Sequence, residues 1–144
     1  MIDPRTLVGD DLGPTEWVAI EQDRIDAFAA ATDDHQWIHV DPERAAAGPF
    51  GTTIAHGYLT LALLPTFVAQ ALPFEGSRLT INYGLNRVRF PAPVPVGSRV
   101  RARFHVAEAS EVDGGFQVTL ECTIERHGGD KPVCVAEIVY RVLA

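Results

Sequence analysis

Four titratable side chains, Asp33, Asp34, His35 and His39, fall within seven residues of sequence, in the run T-D-D-H-Q-W-I-H-V-D-P from Thr32 to Pro42. Asp34 and His39 are five positions apart, close enough to converge where the segment between them folds back. A carboxylate and an imidazole gripping one water form an acid–base pair: one group removes a proton, the other orients or returns it. Two other readings fit the same residues. Asp33, Asp34, His35, His39 and Asp41 are legitimate metal ligands, although nothing elsewhere in the chain supplies a clear completing set. The structural alternative has Asp33 and Asp34 capping helix ends and His39 packed through a hydrogen bond.

A second constellation follows. Gly51 to Gly57, ending in His56-Gly57, delivers the chain to the start of a strongly apolar segment. Free N–H groups at a helix start can polarise a carbonyl oxygen, and glycine at 57 allows a substrate to approach the backbone. A plain loop-to-helix junction accounts for the same residues. Six of the twelve basic residues lie between Arg78 and Arg103, with Arg99, Arg101 and Arg103 on one strand face and Arg87 and Arg89 on another. Clustered arginine suits a phosphorylated ligand; the alternative is a solvated outer sheet face.

The elements that must position these groups follow from periodicity. Thr15 to Ile20 alternates weakly, as a first strand. Gln22 to Ala31 is an amphipathic helix, with Ile25, Phe28 and Ala29 on one face and Asp23 in its first turn. Thr32 to His39 lacks a helical period and is expected as a loop. Asp41 caps a short helix opened by Pro42 and ended at Gly48-Pro49. A helix from about Gly57 to Leu72 is apolar nearly all round, so it must be enclosed on several sides, and Pro65 should kink it.

From Gly76 the period becomes two. Leu79, Ile81, Tyr83 and Leu85 alternate with polar residues, and the strand resumes at Val88 and Phe90 with a bulge near Gly84. Pro91 to Gly97 is a turn. Val100 to Val106 and Phe116 to Ile124 form a hairpin through Asp113-Gly114-Gly115. Gly128-Gly129-Asp130 then leads into Val133 to Leu143, apolar enough for a central strand. The order of elements specifies an α+β architecture, a sheet with its helices on one face curled around the apolar helix.

A chain of 144 residues is expected to form one domain, residues 1–144, with a proper core. A net charge of −7 argues against nucleic-acid or anionic-membrane partners. There is no signal-peptide pattern. The apolar run at 57–72 is shorter than the about 20 residues needed to span a bilayer. Cys122 and Cys134 are expected as reduced core thiols of a cytoplasmic protein.

Taken together, these residues resemble the MaoC-like family of (R)-specific enoyl-CoA hydratases. The family motif runs roughly (S/T)-G-D-x-N-P-(L/I)-H-x-D-P, with the glycine of a (V/I)-x-H-G turn eighteen residues beyond the histidine. Thr32 to Pro42 and Ile54 to Gly57 (I-A-H-G) fall at that spacing, since His39 and Gly57 are eighteen apart. Tyr83 to Gly97 also resembles the family's strand and turn after the central helix, and the wording is similar to the nodulation protein N-like branch. The chain departs from the motif with Asp33 for glycine, Gln36 for asparagine and Trp37 for proline; Pro65 stands where some members carry a serine near the acyl pocket.

The resemblance implies a hotdog fold, an antiparallel sheet wrapped around a central apolar helix. It implies reversible hydration of a trans-2-enoyl-CoA to the (R)-3-hydroxyacyl-CoA, with no metal or other cofactor. Asp34 and His39 would activate the water and the Gly57 N–H would bind the thioester oxygen, with Gln36, His56 and Tyr58 as neighbouring oxyanion and substrate-binding groups. Gln36 would hold the loop, Trp37 would add bulk beside the site, and Tyr58, Pro65 and the apolar helix would wall the acyl chain. The expected partners are an acyl-CoA thioester and a second copy of the chain in a homodimer. The alternatives are a 3-hydroxyacyl-thioester dehydratase acting on acyl-carrier protein, a non-catalytic acyl-thioester-binding subunit, and a thioesterase.

Overall fold

A computed structural model describes residues 1–144. Its largest feature is one antiparallel sheet of strands β1 (Asp11–Leu12), β2 (Val18–Ile20), β3 (Leu79–Arg89), β4 (Ser98–Val112), β5 (Gly115–Arg126) and β6 (Cys134–Leu143). Their order is β1-β4-β5-β6-β3, and β2 also pairs with β4. The helices are α1 (Gln22–Thr32), α2 (Trp37–Val40), α3 (Pro42–Ala46), α4 (Gly57–Ala62) and α5 (Leu64–Ala71), with a short 3-10 turn at Pro4–Leu7. None is long and apolar enough to cross a membrane.

The alternation in β4 and β5 does what a half-buried sheet requires. Val100, Ala102, Phe104 and Val106 are at most 4% exposed. Ala102, Phe104 and Val106 face Ile124, Cys122 and Leu120 across the β4–β5 ladder, and these in turn face Cys134, Ala136 and Ile138 of β6. Phe67, Leu64 and Val68 of α5 and Leu59 of α4 close the core from the helical side. Cys122 and Cys134 are buried free thiols, and burial holds the Cys134 thiol up at about 11.

Three expectations change. The apolar helix is two helices: Leu63 ends α4 and opens α5, and Pro65, which has no N–H to donate, sits in the first turn of α5. The helix is also enclosed on one side only, since Tyr58, Ala62, Pro65 and Ala69 are exposed. In β3 the bulge expected near Gly84 is present, as a register slip between Asn82 and Gly84, but a second slip follows between Leu85 and Arg87 and the faces differ from the expected ones. An extra residue flips every later side chain to the opposite face. Leu85 and Val88 therefore pair with the core positions Ile138 and Ala136, whereas Leu79 and Ile81 pair with Leu143 and Arg141 on the outer face. Leu79, Ile81, Tyr83 and Leu85 are 38–58% exposed.

Candidate active site

Helix α1 ends with Asp33 in the left-handed region, at φ 60° and ψ 21°. Aspartate is among the few side chains that enter this region without glycine's freedom, which accounts for aspartate at a position where the resembled motif has glycine. The reversal places Asp34 at the start of a turn, with its carboxylate exposed and held only by the Gln36 N–H at 3.4 Å. His39 follows on α2 and not on a loop as expected. A single helical turn is too short to show a 3.6-residue period.

His39 is 7% exposed and tightly oriented. Its Nδ1 lies 2.7 Å from the Ile54 carbonyl. A carbonyl only accepts, so Nδ1 carries the proton and Nε2 keeps its lone pair. Ile54 is fixed in turn: its N–H donates to the Ile38 carbonyl at 3.0 Å, while the N–H groups of Ala55 and Val96 donate to Val94 and Thr53 carbonyls. Burial holds the His39 pKa below its ordinary 6.5, with the neighbouring His56 also lowering it and the Ile54 hydrogen bond and Asp34 pulling upward. His39 is thus set up as a neutral base with one free nitrogen.

The α2 turn is tied down by Gln22, whose role has no sequence signal. The Gln22 Nε2 donates to the His39 carbonyl at 2.7 Å and to Asp26 at 2.9 Å, and its Oε1 accepts from the buried Thr53 hydroxyl at 2.6 Å. Gln36, expected to hold this loop, is exposed and contributes backbone atoms only: its N–H to Asp34 and its carbonyl to the His39 N–H.

His56 is 2% exposed, buried between Phe28 (ring centroids 4.9 Å) and His39 (3.9 Å, interplanar angle 24°). That burial removes it from direct substrate contact, a correction to its expected role. The next residue, Gly57, opens α4, and as a first-turn residue its N–H has no intrahelical acceptor. A side chain there would strike the Phe90 ring at 3.1 Å. Gly57 lies on the rim of a cavity of about 240 Å3 lined with Phe50, Thr60, Phe90 and Val94.

Asp34, His39 and His56 each bring one potential ligand atom to within 4.8 Å of the others. The types suit a metal ion. Two nearly parallel imidazoles, however, direct their in-plane lone pairs side by side and not at one point, so joint ligation requires a ring to turn. The arrangement as it stands favours proton transfer between a carboxylate and a neutral imidazole.

The remaining expected residues lie further out. Tyr58 is 71% exposed, its ring 6.2 Å from that of Phe90, so it walls nothing within this chain. Trp37 faces α3, under the Arg44 guanidinium at 4.4 Å and against Gly48, and adds no bulk to the site. Of the arginine cluster, Arg101 and Arg103 pair with Glu125, and Arg99 and Arg101 lie over the Trp17 ring. Arg87 and Arg89 border a groove that Glu121 and Glu137 also line, which offsets their charge.

The antiparallel sheet with its helices on one face is a hotdog fold, and it brings Asp34 and His39 together at a helix junction. The chain belongs to the MaoC like domain family, which matches residues 5–126. It is 55% identical over 143 residues to 3-hydroxyacyl-thioester dehydratase Z of Mycobacterium tuberculosis, covering 99% of this chain and 95% of that one. It is 45% identical to nodulation protein N of Rhizobium leguminosarum bv. viciae, covering 94% and 86%. The solved structure of the (R)-hydratase from A. caviae superimposes with a TM-score of 0.77 at 30% identity, over 93% of this chain and 95% of that one.

Proposed function

We propose that this chain is a hydro-lyase that interconverts trans-2-enoyl and (R)-3-hydroxyacyl thioesters, with the coenzyme A thioester as substrate. The observations that carry it are the fixed tautomer of His39, which leaves the Nε2 lone pair free, and the approach of an Asp34 carboxylate oxygen to within 4.8 Å of a His39 ring nitrogen. In hydration, His39 Nε2 takes a proton from a water that Asp34 orients, and the water oxygen bonds to C3. The electron pair of the C2–C3 double bond moves onto the thioester oxygen, where the Gly57 N–H stabilises the charge. Collapse of that enolate with protonation at C2 by the His39 imidazolium, which returns the ring to its neutral form, completes the addition; dehydration runs the same steps backward. The R configuration is supported by the likeness to the A. caviae (R)-hydratase.

The likeness to a 3-hydroxyacyl-thioester dehydratase favours a second reading, in which elimination is the working direction; an acyl-carrier-protein thioester is the alternative substrate for it. Both are tested by offering the enoyl-CoA and the matching acyl-carrier-protein thioester, with chiral analysis of the alcohol. An (R)-alcohol is expected, and the faster carrier decides between the two. The (S)-alcohol, or none from either carrier, overturns the proposal.

The acyl chain is assigned to an apolar cavity of about 230 Å3 lined with Leu61, Pro65, Leu85, Ile138 and Tyr140. Neither this cavity nor that at Gly57 is lined by Asp34 or His39. A second copy of the chain is the proposed missing wall. Strand β3 is an open edge whose Leu79, Ile81 and Tyr83 are exposed, and a long apolar edge is a template for pairing. A homodimer is expected by light scattering, and Ile81→Lys should yield monomer.

A further inference from the structure

His56 is the one residue of the constellation that the proposed chemistry leaves unused. Its Nε2 lies 3.0 Å from the backbone carbonyl of Asp34. The carbonyl accepts, so the proton sits on Nε2, the opposite tautomer to His39. Its Nδ1 is fully buried with no hydrogen-bond partner. An orphaned buried nitrogen carries a desolvation cost, and the stack on His39 places two rings that cannot both carry charge within 3.9 Å. We propose that His56 is a positioning residue that holds the Asp34 backbone and the His39 ring in fixed register with the adjoining Gly57 amide.

The geometry makes a single four-residue segment the organiser of the site. The Ile54 carbonyl sets the His39 tautomer, the His56 ring sets the Asp34 backbone, and Gly57 presents its N–H. Asp34 needs this anchor because its own side chain has only the long bond to Gln36 and because it follows a left-handed residue. The titratable groups facing His39 are Asp34 from the turn and His56 from the start of α4; α1 presents the neutral Gln22, whose amide also reaches Asp26. The His56 ring covers one face of His39 at 3.9 Å between centroids, and burial together with that neighbour holds the His39 pKa down.

The inference rests on the proposed hydro-lyase reading, so the test has one arm that needs no turnover. Three variants separate the functions of the ring. His56→Leu keeps apolar bulk but removes the donor. His56→Gln places an amide N–H near the former Nε2, and His56→Asn places one near Nδ1, out of reach of the Asp34 carbonyl. The expected result is a loss of kcat of about 10- to 100-fold in the Leu and Asn variants with KM changed less than threefold, since small displacements of a reacting group cost on this scale. The Gln variant should recover most of kcat, while its acid limb in kcat/KM moves to higher pH because the stack is gone. In nitrogen-15 NMR of the wild type, His39 and His56 should show opposite neutral tautomers, and the His39 titration midpoint should rise in His56→Gln. Wild-type kcat in His56→Leu, a Gln variant no better than Asn, or matching tautomers would each overturn the proposal. Opposite tautomers and a shifted His39 in a protein that turns over no enoyl thioester would instead overturn the proposed function and leave the positioning of His39 standing.

Discussion

Asp34→Asn separates chemistry from folding more cleanly than any other substitution in this chain. The carboxylate is exposed, and its one hydrogen bond, to the Gln36 N–H, is 3.4 Å long. A contact that long lies at the weak end of hydrogen-bond geometry, and an amide oxygen can accept it equally well. The expected stability cost is below about 0.5 kcal/mol, or roughly 2 °C in Tm for a domain of this size. The kinetic cost is of another order. Loss of a positioned acid–base group removes about 100- to 10,000-fold in rate, roughly 3–5 kcal/mol of barrier. The assay is enoyl-thioester hydration alongside thermal unfolding. Loss of turnover without loss of Tm is the expected outcome. Activity within tenfold of wild type would remove Asp34 from the mechanism, and a large fall in Tm would show that its carboxylate is structural.

Three further outcomes follow from the geometry. Gln22→Ala orphans the buried Thr53 hydroxyl and the His39 carbonyl, so unfolding free energy should fall by about 2 kcal/mol and turnover with it; urea denaturation and kcat measure both, and an unchanged midpoint would refute the anchoring role. Asp33→Val forces a β-branched residue to φ 60° and should cost about 1–2 kcal/mol, while Asp33→Gly should be neutral or slightly stabilising in the same denaturation experiment. His39 has a folded pKa held below 6.5 by burial. Below that pH the unfolded chain binds the proton that the folded chain resists, so stability should decline as pH falls through about 6.5 and be flat above it. The acid limb of kcat/KM should lie below 6.5, and His39→Gln should remove His39's share of the stability decline.

Much of the scaffold was legible because one buried face imposes a strict period. Val100 through Val106 and Val118 through Ile124 bury at the alternate positions their pattern specifies. The same logic misplaced Leu79 and Ile81: the bulge expected near Gly84 is present between Asn82 and Gly84, but alternation alone does not say which side of a bulge faces the core, and the second slip between Leu85 and Arg87 had no signal. The proximity of Asp34 and His39 was legible in their type and spacing. Gln22 was not, because a glutamine opening an amphipathic helix carries no pattern, and its three partners lie four to thirty-one positions away. The stack of His39 on His56 was equally hidden. It joins residues seventeen apart through tertiary packing, and the tautomers depend on which backbone carbonyl each ring meets.

The departures from the resembled motif acquire separate physical meanings once placed. Asp33 occupies a left-handed position that aspartate tolerates. Gln36 works through its backbone, so its side chain is free to differ, and Trp37 packs outward against Arg44 and Gly48. None of these three changes touches the His39 tautomer, the Asp34 backbone anchor or the Gly57 amide. Pro65 is different. It interrupts the apolar helix and lines both the cavity of about 230 Å3 and an adjoining one of about 490 Å3, which also share Asn82 and Tyr140. A change of acyl preference relative to members with serine there is therefore to be traced to Pro65 and its two neighbours, because only there does a departure border the space assigned to the chain.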